Sequence, residues 1–148
     1  MAGTASFHNW AGPGSEASSL RQPVPGMVAM LGQPGVEKVG VETLREWLAK
    51  NPQVRPERTW LKVDVQGSER EVLHGAGDIL GRFPALEIEA ALDELYEGEA
   101  SLAELLTLVG TAGFVPCSVI TERFHTGWRG AADVDLLAIR RDLSRLPT

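Results

Sequence analysis

Asp64, Gln66 and Glu89 are the residues of this chain whose types and spacing point most directly to chemistry. Asp64 and Gln66 fall in the run WLKVDVQGSEREVLHGAG, from Trp60 to Gly77, and Glu89 in ALEIEAAL, from Ala85 to Leu92. Both runs begin with β-formers, and both carry charges where a strand covered on two faces is ordinarily apolar. A buried charge is costly, so such a group is paired, hydrated or put to use. Lys62 and Glu87 read as a cross-strand ion pair. Asp64 and Glu89 lie closer to the carboxyl ends of their strands, the edge at which open α/β sheets bind ligands. A carboxylate facing a cleft there is a candidate base or hydrogen-bond acceptor. His125, in the loop TERFHTGWRGAAD, is a further candidate base, and Trp128 in the same loop a candidate wall for an acceptor. Metal binding by Asp64, Glu89 and Asp133 needs several converging oxygens. The spacing does not enforce that, so no metal is expected.

The elements that must position these groups follow from local pattern. Trp60 to Val65 reads as a strand and Gln66-Gly67 as a sharp switch. Ser68 to Glu71 then fits a Ser-x-x-Glu capping box. Val72, Leu73, Ala76, Ile79 and Leu80 fall on one helical face. Ala85 to Leu92 is the next strand. A second capping box, Ser101 to Glu104, opens a helix whose stripe is Leu102, Leu105, Leu106 and Val109, and Gly113 sits where a C-terminal cap belongs. Phe114 to Ile120 and Val134 to Ile139 are the last strands. Cys117, in the middle of the first of these, reads as a small core residue.

Strand alternating with helix predicts right-handed crossovers and a parallel sheet. The connection from Thr121 to Asp133 is too short for a helical crossover, so the last strand is expected to run antiparallel. Upstream, Thr4 to Ala11 reads as a short strand and Val36 to Val41 as an edge strand. Thr43 caps the helix LREWLAKN. Gly12 to Gly35 is rich in Gly, Pro and Ser and reads as a long loop, mobile or wrapped around a ligand. The expected organisation is one α/β domain, with a lead-in over 1–35 and a core over 36–142.

The chain has 148 residues, is 43% hydrophobic and 23% charged, and carries a net charge of −6. That balance disfavours nucleic acid and anionic membrane surfaces as partners. A single cysteine cannot close an intramolecular disulfide. The first ten residues lack a basic start and an apolar centre, and no apolar run approaches the roughly 18 residues of a membrane span. A soluble, cytoplasmic chain is expected.

KVDVQGSEREVLHGAGDIL followed by PALEIEAALDELYEGE resembles the FkbM-type family of S-adenosylmethionine-dependent methyltransferases. The matching positions are Lys62, Asp64, Val65, Gln66, Gly67, Glu69, Val72, Leu73, Gly75 and Ala76. A second group follows with Glu89, Leu95, Tyr96, Glu97 and Gly98. Gly113-Phe114, Asp135, Ser18-Ser19-Leu20 and Thr43-Leu44 fit the flanking regions. The resemblance implies a Rossmann-like sheet and methyl transfer to an oxygen of a small-molecule, glycan or lipid-like acceptor. It implies Asp64 and Glu89 as catalytic groups, Asp64, Gln66 and Gly67 at the cofactor, and Glu69 and Tyr96 at the acceptor; His125 as a further base and Trp128 at the acceptor rest on their place in the loop before the last strand. The family's opening strand and Gly-rich cofactor turn are not read in this chain. Gly12-Pro13-Gly14 is the nearest candidate and follows the polar strand FHNW. The chain is therefore expected to hold the carboxyl-terminal part of such an enzyme. The sheet would then be cut short at its N-terminal side, with an exposed edge open to self-association or a partner chain. A remnant that serves as a non-catalytic interaction module is the rival reading.

Overall fold

The computed structural model of the chain describes residues 3–121 and 133–144. In chain order the elements are β1 (Gly3–Asn9), α1 (Pro25–Leu31), β2 (Gly35–Val41), α2 (Leu44–Lys50), β3 (Trp60–Val63), α3 (Glu69–Ala76), β4 (Ala85–Ala91), α4 (Leu102–Thr111), β5 (Phe114–Ile120) and β6 (Asp133–Arg140). Short 3-10 turns occupy Gly12–Ala17, Pro56–Arg58 and Gly77–Arg82.

β3, β4, β6 and β5, in that spatial order, form one sheet, while β1 and β2 form a separate antiparallel ribbon. β3 and β4 are parallel; β6 is antiparallel to both β4 and β5. The antiparallel last strand matches the sequence reading, but a mostly parallel sheet does not. β3, β4 and β5 point the same way, yet β6 inserts between β4 and β5 and separates them. The single parallel pair among the described residues is β3 with β4. The architecture is mixed α/β with mostly antiparallel pairing.

Alternation decides what each face of the sheet does. Leu86, Ile88 and Ala90 of β4 and Val134, Leu136 and Ala138 of β6 are buried. They join Leu73, Leu80, Phe83, Leu105, Val109 and Phe114 in one core cluster. Burying each large apolar side chain contributes about 1.5–3 kcal/mol, and this layer holds α3 and α4 to the sheet. The opposite face carries Lys62, Glu87, Glu89 and Asp135, matched by register across three strands. Cys117 falls at a register shift between Pro116 and Ser118 and is exposed rather than core.

Residues 12–35 are not one long loop. Besides the 3-10 turn they hold α1, whose first turn begins at Pro25, where a missing N–H costs nothing. The segment then lies across the turn that follows β4. Val24 N–H donates to Leu95 O at 3.0 Å and Glu97 N–H to Gln22 O at 2.9 Å. Ser19 exchanges backbone hydrogen bonds with His8 of β1 at 2.7 and 2.9 Å. The lead-in is thus a strap that ties the ribbon to the carboxyl edge of the sheet. Among the described residues no helix is long and apolar enough to cross a membrane.

Candidate functional site

The turn between β3 and α3 builds the site. Gln66 and Gly67 both have positive φ, 52° and 92°. The Ser68 to Glu71 capping box does not form. Ser68 sits at φ −103°, ψ 20°, and its hydroxyl makes no capping bond. The Glu71 carboxylate accepts from the Arg21 guanidinium at 2.7 Å instead. The brace comes from Glu69, which is 4% exposed. Its Oε1 accepts from Val65 N–H at 3.2 Å and Gly67 N–H at 3.1 Å. Burial pushes the Glu69 carboxyl above its ordinary range in spite of these bonds.

Parallel register pairs Lys62 with Glu87 and Val63 with Ile88; β3 ends there rather than at Val65, and Asp64, the residue that follows, lies close enough to Glu89 for its charge to act on it. The Gln66 amide joins them: Nε2 donates to Asp64 Oδ1 at 2.9 Å and to Glu89 Oε2 at 2.7 Å. Burial, followed by the charges of Asp64 and Asp133, pushes the Glu89 carboxyl up to about 7. One step back from the rim, Lys62 Nζ donates to Glu87 at 2.9 Å and lies 3.8 Å from Asp64 and 3.7 Å from Asp135. The expected ion pair is therefore present, and the bond to Glu87 is the main reason that the Lys62 ammonium holds its proton more tightly.

A hollow opens at this rim, bounded by Gln66, Glu89, Leu95, Tyr96, Glu99 and Asp133. Tyr96 is 1% exposed. Its hydroxyl donates to Ala17 O at 2.6 Å, and Gln66 Oε1 lies 3.3 Å away. The Glu99 carboxylate accepts from the N–H groups of Leu95 and Tyr96, and burial pushes it upward too. A Cβ on Gly67 would meet Tyr96 at 3.0 Å. The glycine is needed both for that approach and for its backbone angle.

Of the candidates from sequence, Asp64, Gln66 and Glu89 come together. Gly67, Glu69 and Tyr96 surround them, with Glu69 and Tyr96 engaged in holding the turn and the strap. His125 and Trp128 lie outside the described residues. Two participants escape a reading by local pattern. Ser19, 1% exposed, donates from Oγ to Gln66 O at 2.5 Å. Glu99 fixes the turn after β4. Ser19 falls in one of the stretches that carried the family resemblance; Glu99 sits in an acidic run whose composition reads as a solvated turn. Among the described residues no group of three or more His, Cys, Asp or Glu side chains is arranged to hold a metal ion.

A family model described as the methyltransferase FkbM domain matches residues 13–116. The chain belongs to the FkbM methyltransferase family. The match takes in the strap, β3, the braced turn and β4, so the described parts of the site except Asp133 and Asp135 lie inside the FkbM domain. No curated protein and no solved structure matches the chain.

FkbM methyltransferases generally use S-adenosylmethionine. The carboxylate-rich rim of this FkbM domain fits the cationic sulfur end of that cofactor in charge. The hollow is small, however: about 10 Å³ of cavity, room for about one water and far below the ~300 Å³ at which small-molecule sites begin. The Gly-Pro-Gly turn at Gly12 follows β1 in the separate ribbon, not a strand of the sheet that carries Asp64. The described residues therefore match the sulfur end of the cofactor in charge but do not enclose any part of it.

Proposed function

We propose that this FkbM domain transfers a methyl group from S-adenosylmethionine to a hydroxyl of a small-molecule, glycan or lipid-like acceptor, with Glu89 taking the hydroxyl proton. The observation that carries the reading is the convergence of Asp64 and Glu89 on one Gln66 amide at the carboxyl rim of β3 and β4. A carboxyl pushed up to about 7 suits a general base, because a catalytic group works best when its pKa lies near the operating pH. Asp64 is assigned to the cationic end of the cofactor, with Gln66 and Gly67 shaping the turn beneath it. The cofactor, when bound, supplies a methyl group on a positively charged sulfur. What remains for the chain is to align the acceptor oxygen, a contribution of several kcal/mol when the geometry is good, and to remove its proton. That proton passes to a Glu89 oxygen and from there to solvent through the open side of the hollow. Glu69 and Tyr96 are assigned to holding this arrangement. His125 stays a candidate second base and Trp128 a candidate acceptor wall.

The test combines calorimetric titration of S-adenosylhomocysteine with transfer of labelled methyl to a panel of hydroxyl acceptors. Glu89→Gln is expected to keep binding and lose about 100-fold or more in transfer, whereas Asp64→Ala weakens binding itself. Full transfer by Glu89→Gln would overturn the base assignment. A second reading rests on β3, which lies at one edge of the sheet with Trp60 57% exposed beside its start. Such an edge can take up a strand from another chain. Absence of any heat with the cofactor product, together with self-association on light scattering, would favour that interaction module over the enzyme.

A further inference from the structure

Gln66 is the sole non-glycine residue with positive φ among the described residues. Side chains other than those of Asn and Asp seldom adopt that conformation, and it persists where the surroundings over-determine it. Here the surroundings can be named. The peptide oxygen of Gln66 accepts from the buried Ser19 hydroxyl at 2.5 Å. The N–H groups on either side, of Val65 and Gly67, are both held by Glu69. The amide is oriented by its partners, since carboxylate oxygens accept from its nitrogen and would repel its oxygen, which lies 3.3 Å from the Tyr96 hydroxyl. A primary amide has two N–H bonds, and both are used: one on Asp64, one on Glu89.

We propose that Gln66 is the positioning residue of the carboxylate pair, set in a left-handed turn by Ser19 and Tyr96 so that its amide gives one N–H to each carboxylate and holds both toward one ligand. The proposal deepens the methyl-transfer reading and rests on it for the identity of that ligand. Two carboxylates this close resist sharing full charge, because each disfavours ionisation of the other. Donation to both offsets part of that repulsion, and the Gln66 bond does oppose the rise of the Glu89 carboxyl. The groups that face the pair are Lys62 on β3 and Asp133 and Asp135 on β6. Glu69 on α3 and Glu99 after β4 line the same hollow, beside Tyr96. Lys62 is committed to Glu87, so the amide is the closest donor to Glu89 that the turn supplies.

The decisive measurement follows the Glu89 carboxyl carbon by NMR through a pH titration of the whole chain carrying labelled glutamate. It requires neither cofactor nor acceptor. Gln66→Asn is the informative variant. Asn tolerates the left-handed backbone, but its side chain is one methylene shorter and cannot reach both carboxylates. Its Glu89 midpoint is expected to rise by about half a unit or more, roughly a threefold tighter hold on the proton. Ser19→Ala and Tyr96→Phe are expected to move it the same way by less. Asp142→Asn, past the end of β6 opposite to Asp133, serves as the neutral control. A Glu89 midpoint unmoved in a folded Gln66→Asn would overturn the proposal. A shifted midpoint in a chain that transfers no methyl group would leave Gln66 as the positioning residue and remove the enzyme reading instead.

Discussion

Ser68 to Glu71 and Ser101 to Glu104 have the same Ser-x-x-Glu spelling and fold in opposite ways. At Ser101 the backbone is extended, φ −65° and ψ 157°. The Ser101 hydroxyl accepts from Glu104 N–H at 3.3 Å while the Glu104 carboxylate accepts from Ser101 N–H at 2.9 Å. At Ser68 neither bond exists. Glu71 is drawn off by Arg21 from the strap, and Glu69 turns back to hold the β3 turn. A helix start that only has to start a helix takes the local solution. A helix start beside the site gives that up, and its acids serve contacts from elsewhere in the chain.

The contrast is breakable, and the largest effect is expected at Glu69. Glu69→Ala removes the acceptor of two N–H groups in a buried turn and is expected to cost about 2–4 kcal/mol in urea unfolding. Glu69→Gln keeps one oxygen for the same bonds and is expected to stay within about 1 kcal/mol of the parent. Equal losses in the two variants would show that charge, not bonding, braces the turn. Next comes the pair of serines. Ser101→Ala is expected to cost about 1 kcal/mol, and Ser68→Ala no more than about 0.5 kcal/mol. A similar loss at both would mean that the Ser68 cap forms in solution.

The smallest expected effect is a pH dependence. Glu89 holds its proton more tightly in the folded chain, about 7 against an ordinary 4.5, so the folded state binds more protons between those values. Its contribution is full below about 4.5 and is lost as the pH rises to about 7. Because the carboxyl is partly exposed, solvent screening reduces the difference to under about 1 kcal/mol. Thermal unfolding at pH 5 and pH 8 is expected to show a smaller decline for Glu89→Gln than for the parent chain. An equal decline in both would place the proton elsewhere.

What was legible in the sequence was local. The alternation of β4 and the leucine stripe of α4 follow from side-chain periodicity alone. The Lys62–Glu87 pair follows from charges at matching depths in adjacent strands. The convergence of Asp64 with Glu89 belongs here too, since each follows a member of the last registered pair, Val63 with Ile88. What was not legible depends on distance along the chain. Nothing in β6 says that it slides between β4 and β5 rather than beside β5 alone. The stretch from Gly12 to Gly35 has the composition of a loop, and only its contacts with Leu95 to Glu97 reveal a strap. Glu69 was given away by no spacing rule, because its partners lie on the turn before it.

Ser19 and Gln66 are separated by 47 positions and Ala17 and Tyr96 by 79. Closing such long loops has to wait for their far ends. During synthesis the first twenty residues are made early, but the groove they embrace does not exist until the chain has grown past Glu99. The ribbon and its strap are thus translated before the groove on which they dock, and the carboxylate rim is finished only when the two ends of that interval meet.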